Sequence, residues 1–182
     1  MEIILVRHGQ KMGGENPSLT EIGTKQVKRL TRRFKKEQFD EIYCSNMKRA
    51  IQTALIIGGK LSLKPKITSS LREFEVEVLK KNKKDWNPIL IKKYEELKHF
   101  LEHLTKEPNS EKRILIVAHG NTNRLIMTIL LDLELKNIVR FGQLETAVNE
   151  IYWLDKFNNW RLRRWNDINH LPIKLRNFLT EY

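Results

Sequence analysis

The chain has little cysteine and no long hydrophobic run. Cys44 is the single cysteine among 182 residues, so an internal disulfide is excluded. Because a free cysteine within an apolar stretch usually packs in the core, we do not expect Cys44 to act as a nucleophile. No run of roughly 18 apolar residues predicts a membrane span. The first apolar stretch is short for a secretory leader and lacks a basic lead-in, so we expect a cytoplasmic protein.

Motifs that bind metal ions, nucleotide phosphates or nucleic acids are also missing. The sequence has neither a cysteine pair nor an HExxH segment to hold zinc. It has no glycine-rich loop of the Walker type and none of the common nucleic-acid-binding signatures. We therefore predict no metal site and no other cofactor, and we do not expect nucleic acid as a partner.

The chain is rich in charge, and most of the charge is positive. Hydrophobic residues make up 40% and charged residues 31%, which suits a single folded domain over residues 1–182. The net charge of +12 suggests an anionic partner such as a phosphate ester. Basic residues are densest in Lys28–Lys36, Lys80–Lys84 and Arg161–Arg164, where solvated helix and hairpin faces explain them more simply than a nucleic-acid site. The alternative interpretation of Lys80–Lys84 is a lid over a ligand site.

Apolar runs and turn residues predict strands that alternate with helices. The predicted strands are Glu2–Val6, Glu41–Cys44, Lys66–Thr68 and Arg113–Ala118, followed by a hairpin of Ala147–Asp155 and Trp160–Trp165 around an Asn-rich turn. The predicted helices are Ile22–Lys36, Met47–Gly58, Ile89–Lys106, Asn121–Leu131 and Ile173–Leu179. Ser18 or Thr20 is expected to cap the first helix, and the Gly58–Gly59 pair is expected to end the second.

This alternation predicts an α/β fold with a mainly parallel sheet covered on both faces. Ligands of such sheets bind outside the carboxyl ends of the strands. His8 and His119 each follow a predicted strand directly. The two histidines are therefore candidates for one site at the same edge of the sheet.

Residues around both histidines suit phosphate chemistry. A neutral His8 imidazole held in one tautomer is a capable nucleophile toward phosphorus, and Arg7 could clamp phosphate oxygens with its planar fork of donors. Arg49 lies near the start of a helix, where an anion is favoured. A protonated His119 could stabilise charge on phosphate oxygens. Each residue also has a purely structural alternative, a surface arginine for Arg49 and a helix-capping neighbour for His119.

A carboxyl group near the leaving oxygen could act as general acid and then as base toward water. Glu73, Glu75 and Glu77 all compete for this role, and a solvated acidic cluster is the alternative. The two histidines, the two arginines and one carboxylate together supply the positioning and charge stabilisation that phosphoryl transfer needs.

Six segments, in this order along the chain, resemble the histidine phosphatase superfamily, the phosphoglycerate-mutase-like enzymes. They are LVRHGQ at Leu5–Gln10, LTEIGTKQV at Leu19–Val27, YCSNMKRAIQTA at Tyr43–Ala54, LREF at Leu71–Phe74, VAHGN at Val117–Asn121 and WNDINHL at Trp165–Leu171. The resemblance implies a three-layer α/β/α sandwich with a mainly parallel sheet, to which the later hairpin adds an antiparallel strand.

The resemblance also implies roles for individual residues. His8 would be the phosphorylated histidine, and Glu73 would be the proton donor and acceptor. The expected phosphate-binding residues are Arg7, His8, Arg49, His119 and Gly120. The expected substrate-binding residues are Gln10, Asn16 and Asn121.

Two segments depart from the family pattern. Many members continue after LREF into a stretch close to FGxWEG, whereas this chain has Phe74–Leu79 without glycine or tryptophan. The loop after His8, with Asn16–Ser18, is shorter than in many members. Loops shape substrate pockets, so these differences leave the substrate open.

We therefore predict a metal-independent phosphomonoesterase of the histidine acid phosphatase type, which acts through a phosphohistidine at His8. The expected substrate is a small phosphorylated molecule or a phosphoprotein. One alternative is a phosphoglycerate mutase, although mutases of the family generally run longer. An alternative of another class is a non-catalytic module that binds a phosphorylated or nucleic-acid partner.

Overall fold

The computed structural model describes residues 1–75 and 83–176. Within these residues the chain forms six strands and four α-helices. The strands are β1 (Glu2–Arg7), β2 (Glu41–Ser45), β3 (Lys66–Thr68), β4 (Arg113–Ala118), β5 (Val148–Leu154) and β6 (Asn159–Asp167). The helices are α1 (Glu21–Arg33), α2 (Lys48–Leu61), α3 (Pro88–Leu104) and α4 (Gly120–Leu130).

The six strands form one mixed sheet in the order β3-β2-β4-β1-β5-β6. The first four strands of this order pair in parallel. Strands β5 and β6 are both antiparallel to their neighbours. The predicted α/β class and C-terminal hairpin are therefore confirmed, and the hairpin contributes two antiparallel strands instead of one.

Helices cover both faces of the sheet because its central strands are apolar on both sides. In β1, Ile3 and Leu5 pack with residues of α3 and α4, whereas Ile4 and Val6 pack with residues of α1 and α2. Successive side chains of a strand point to opposite faces, so a continuous apolar run needs cover on each. The result is the expected α/β/α sandwich.

The register between β1 and β4 determines where the two histidines lie. Arg7 is paired with Ala118, the last residue of β4. The next residue of each strand is a histidine, and the His8 amide donates a hydrogen bond to the Ala118 carbonyl at 3.1 Å. His8 and His119 therefore leave the same carboxyl edge of the sheet side by side.

Helix ends differ from the sequence-based expectations in several places. Thr20, one of the two expected caps, caps α1 by accepting a hydrogen bond from the Gly23 amide at 2.9 Å. The end of α1 differs from the prediction, because a 3₁₀ turn replaces the α-helix at Phe34–Lys36. The expectation that glycines end α2 was wrong, because the helix continues to Leu61 and ends at Ser62 in a left-handed conformation.

A proline begins the third helix, one residue before the predicted start at Ile89. Pro88 occupies its first turn, and Asn87 caps it by accepting a hydrogen bond from the Leu90 amide at 2.9 Å. This arrangement is favourable because proline has no N–H to leave unpaired there. Of the predicted closing helix, Ile173–Leu175 forms only a 3₁₀ turn, which ends at Arg176 in an extended conformation. Residues 177–179 lie outside the described residues. None of the described helices is sufficiently long and apolar to cross a membrane.

The loop after β1 packs against α1 through two glycines. A methyl group added at Gly23 would lie 2.1 Å from the Gln10 carbonyl oxygen, and one added at Gly9 would lie 2.7 Å from the Gly23 carbonyl oxygen. Backbone atoms cannot move aside as a flexible side chain can. Because these two residues have no side chain, the segment that follows His8 can pack directly against α1.

We expect Gly23→Ala to lower the free energy of unfolding by about 1–3 kcal/mol, the usual effect of overpacking. Urea unfolding followed by circular dichroism measures the change. The matched control is Gly59→Ala in α2, where an added methyl group has no neighbour within 4 Å. That substitution should stabilise the protein by about 0.5–1 kcal/mol through helix propensity, so equal effects of the two changes would contradict the packing argument.

Candidate active site

His8 is buried, and its two ring nitrogens have partners of opposite kind. Nδ1 lies 2.7 Å from the Gly9 carbonyl oxygen, and Nε2 accepts a hydrogen bond from Arg49 Nε at 2.9 Å. A carbonyl only accepts and a guanidinium only donates. The proton of the neutral ring is therefore assigned to Nδ1, and the lone pair lies on Nε2.

The surroundings of His8 keep its ring neutral. Burial lowers the pKa of His8 well below its ordinary value of 6.5, and the positive charges of Arg7 and Arg49 lower that pKa further. A neutral imidazole has a free lone pair, whereas an imidazolium has none. The neutral His8 ring, with its lone pair on Nε2, is thus chemically suited to act as a nucleophile at neutral pH.

Arg49 is only 4% exposed, in contrast to the surface arginine considered as its alternative. It lies in the first turn of α2, so its guanidinium reaches back toward His8. Thr53, one turn further along the helix, accepts a hydrogen bond from the Gly9 amide at 3.2 Å. The start of α2 and the loop after β1 are therefore held together around the His8 ring.

Arg7 is the second guanidinium of the cluster. Its Nη1 donates a hydrogen bond to the backbone carbonyl of Gln143. A methyl group added at Gly120 would lie 3.6 Å from Arg7 Nε, so the guanidinium lies against the first residue of α4. The expected phosphate-binding residues Arg7 and Gly120 are therefore neighbours in space.

The ring of His119 lies beside that of His8, with centroids 5.1 Å apart. Its Nε2 lies 2.8 Å from Ser45 Oγ, and its Nδ1 lies 3.6 Å from Glu73 Oε2. Burial lowers the pKa of His119 well below 6.5, and nearby positive groups lower it further. These effects favour the neutral ring of His119, which can still donate one hydrogen bond to a phosphate oxygen.

Glu73 is the carboxylate that joins this cluster. Its Oε1 accepts a hydrogen bond from the Asn121 amide in the first turn of α4 at 3.2 Å, and its Oε2 lies 4.0 Å from Arg49. Burial raises the pKa of Glu73, while Arg7 and Arg49 oppose that rise. Of the competing carboxylates, Glu75 is exposed and Glu77 lies outside the described residues.

The side chains of the three expected substrate-binding residues bond to the protein itself. Gln10 Oε1 accepts a hydrogen bond from Thr20 at 2.8 Å. Asn16 Oδ1 accepts one from the Lys48 amide at 3.0 Å and so caps α2. Asn121 donates to the Phe74 carbonyl at 2.8 Å and accepts from Arg124 at 2.9 Å. These contacts make all three side chains part of the local structure around the cluster.

Several residues that sequence reasoning missed support the cluster from behind. Thr146 donates its amide to the carbonyls of Arg7 and His8 at 3.1 and 3.3 Å. Gln143, whose carbonyl binds Arg7, exchanges two side-chain hydrogen bonds with Asn149. No charge or motif marks these neutral residues in the sequence. Gln143 and Thr146 lie just before β5 and Asn149 lies within it, and this position is the one sequence feature that points to them.

The cluster suits an anion better than a metal ion. His8, Glu73 and His119 each place a potential ligand atom within 4.8 Å of the others. The His8 lone pair already accepts a hydrogen bond from Arg49, however, and the two guanidinium groups repel a cation. A phosphate group would instead receive hydrogen bonds from both arginines.

The model of the histidine phosphatase superfamily (branch 1) matches residues 3–168. The matched segment contains every residue of the cluster. The chain belongs to this superfamily.

Curated relatives include both phosphatases and mutases. The chain is 28% identical to a putative phosphoserine phosphatase 2 from Hydrogenobacter thermophilus, over 82% of this chain and 88% of that protein. It is 28% identical to a metal-independent phosphoserine phosphatase from Arabidopsis thaliana, over 93% and 83%. It is 25% identical to a 2,3-bisphosphoglycerate-dependent phosphoglycerate mutase from Methylorubrum populi, over 84% and 89%.

Solved structures support the fold. A mutant phosphoserine phosphatase from Entamoeba histolytica, in complex with phosphoserine, superimposes with a TM-score of 0.78 and 21% identity over 94% of this chain and 99% of that one. The complex of the phosphatase with 3-phosphoglyceric acid gives a TM-score of 0.77 over the same shares. Small phosphorylated molecules are therefore the ligands of these neighbours.

Replacing Arg49 with methionine should raise the pKa of His8, because the substitution removes a positive charge that disfavours the imidazolium. Titration of the His8 ring protons by NMR measures the shift. Lys60→Met, an exposed charge in the last turn of the same helix, is the control and should leave the His8 titration unchanged. An unchanged or lower pKa in Arg49→Met would contradict the assigned contact.

Proposed function

We propose that the chain is a metal-independent phosphomonoesterase that transfers a phosphoryl group to His8 Nε2 and then to water. The hydrogen bond between Arg49 Nε and His8 Nε2 carries this proposal, because it leaves a neutral, oriented imidazole beside a guanidinium group that could bind phosphate. Membership of the histidine phosphatase superfamily supports the same chemistry.

In the first step His8 Nε2 attacks phosphorus, and the bond between phosphorus and the ester oxygen breaks. Arg7 and Arg49 hold the phosphate oxygens, and His119 donates to them through Nδ1–H, which the Ser45 contact at Nε2 leaves available. Glu73, with its raised pKa, gives a proton to the leaving oxygen. The alcohol then departs.

In the second step water attacks the phosphohistidine, and the nitrogen–phosphorus bond breaks. The Glu73 carboxylate formed in the first step takes a proton from the water as it attacks. Inorganic phosphate leaves, His8 regains its lone pair and Glu73 is again protonated. One carboxyl group thus serves both steps, and no metal ion takes part.

A cavity of about 470 Å³ adjoins Glu73 and suits a small phosphorylated substrate. Its walls carry both signs of charge. The basic lining residues are Arg72, Lys92 and Lys93, and the acidic ones are Glu15, Glu73, Glu75 and Glu96. We propose a small polar phosphate monoester as the substrate class. The narrower histidine acid phosphatase subtype stays a prediction.

A phosphoglycerate mutase is the second candidate, because mutases are among the relatives at similar identity. A mutase returns the phosphoryl group of His8 to a second oxygen of the substrate instead of passing it to water. Incubation with 3-phosphoglycerate separates the two activities: free phosphate indicates the phosphatase, and the 2-phospho isomer indicates the mutase.

We expect His8→Ala to lower turnover by at least about 10³-fold, because the nucleophile is lost. The assay is phosphate release from a panel of phosphorylated metabolites in the presence of EDTA, combined with acid-quench trapping of labelled phosphoenzyme. His99→Ala is the matched control, since that histidine is 88% exposed on α3. Retained turnover or labelling in His8→Ala would refute the proposal.

The pH dependence of kcat/KM should depend on Glu73. Phosphorylation needs the protonated acid, so kcat/KM should fall as the pH rises through the raised pKa of Glu73. It should fall at low pH only when His8 becomes protonated, which its lowered pKa delays.

The glutamine of Glu73→Gln cannot titrate, so the pH profile of kcat/KM for this variant should lose the alkaline fall that is due to Glu73. Any fall that is due to ionisation of the substrate should remain. Glu75→Gln, the matched neighbour, should keep the alkaline limb of the profile. If Glu73→Gln retained the full wild-type profile and rate, another group would be the acid.

A further inference from the structure

Two of the three basic clusters in the sequence meet in space, away from the active site. Arg29, Arg32 and Arg33 extend from the second half of α1, and Arg164 extends from β6. Together they line a cavity of about 490 Å³, which we call the arginine cavity. Asp167 and His170 are also in its wall. The residues of the active-site cluster do not line it.

Within the described part of the chain, the positive charges of the arginine cavity are not balanced by carboxylates. Asp167 is the carboxylate in its lining, at 2.8 Å from Arg33 and 3.8 Å from Arg164. Arg164 also lies 3.3 Å from Glu150. Arg29 and Arg32 form no ion pair with any described residue. Positive charge therefore exceeds negative charge around this concave surface.

Helix electrostatics explain only part of this arrangement. Arg32 and Arg33 lie in the last turn of α1, where cations interact favourably with the helix dipole. That interaction gives no reason for Arg164, from a strand distant in sequence, to face the same space. The four guanidinium groups repel one another, which opposes their meeting in one place. An anion bound between them would attract all four and so favour the arrangement.

His170 adds a neutral hydrogen-bonding group to the wall. Its Nε2 lies 3.1 Å from Thr146 Oγ1, and its buried Nδ1 has no hydrogen-bond partner among the described residues. When Nε2 accepts from the Thr146 hydroxyl, Nδ1 carries the proton. It is then a donor that a ligand oxygen could satisfy.

We propose that the arginine cavity is a second anion site that binds a compact molecule with two or more phosphate groups. Arginine suits this ligand because its planar fork donates two parallel hydrogen bonds to one phosphate. The excess of positive charge calls for a polyvalent anion, and the volume lies within the usual range of small-molecule sites, roughly 300–1,000 Å³. The proposal does not depend on the catalytic activity.

Calorimetric titration with inorganic tripolyphosphate at low ionic strength tests this site. Four proteins are compared: the wild type, the double variant Arg29→Gln/Arg32→Gln, the control Lys106→Gln/Arg140→Gln and the active-site variant Arg49→Ala. All four residues changed in the first two variants are exposed, so folding should be preserved, and circular dichroism checks this.

We expect the loss of Arg29 and Arg32 to weaken tripolyphosphate binding by at least about tenfold, since each removes a charged hydrogen-bond donor. The matched control should bind within about threefold of the wild type, because it loses the same net charge elsewhere. Arg49→Ala should retain the binding, and turnover of Arg29→Gln/Arg32→Gln should equal that of the wild type.

Three results would overturn the proposal. Unchanged affinity in Arg29→Gln/Arg32→Gln would show that tripolyphosphate does not bind in the arginine cavity. Loss of binding in Arg49→Ala would assign the ligand to the active site. Binding of single-stranded oligouridylate without binding of tripolyphosphate would show that this surface serves a nucleic acid instead.

Discussion

The parallel pairing of β1 with β4 is the contact on which the active site depends. Because Arg7 is opposite Ala118, the two residues that follow these strands emerge together at the carboxyl edge, and their rings are 5.1 Å apart. The pairing is stable because both strands bury apolar side chains on both faces. A shift of one residue would turn each side chain to the opposite face, so the hydrophobic core also specifies the geometry of the two imidazoles.

The same edge concentrates positive charge where burial makes charge unfavourable. Arg49 is almost fully buried, and the Glu73 oxygen paired with it lies at 4.0 Å, too far for a hydrogen bond. The two histidines respond by remaining neutral, as their lowered pKa values indicate. A dianionic phosphate would accept hydrogen bonds from the guanidinium groups and offset the cost of burying their charge. Ligand binding should therefore stabilise this edge of the sheet, because its donors are already in position.

Most strands could be predicted from the sequence because strands buried on both faces appear as short, uninterrupted apolar runs. β4 has the predicted bounds, and β1 is one residue longer. The short edge strand β3 also has its predicted bounds, although its side chains are largely exposed and it is not an apolar run. Helix ends were harder to predict because they depend on contacts with other segments. Gly58 lies against the Leu63 carbonyl, 2.3 Å from where a methyl group would be, so its function is close packing and not termination. Thr146 was missed since its contacts to β1 use its backbone amide, which nearly any residue type possesses.

The contact between Arg49 and His8 also bears on how the proposed reaction begins. In the structure the lone pair of His8 Nε2 accepts the hydrogen bond from Arg49 Nε, so the ring is oriented but its lone pair is occupied. Attack on phosphorus requires this hydrogen bond to break. An arriving phosphate offers Arg49 charged acceptors, which are stronger partners than a neutral imidazole. An arriving substrate would thus free His8 Nε2 from Arg49. Water competes less strongly for the guanidinium group and would leave the hydrogen bond between the two residues in place.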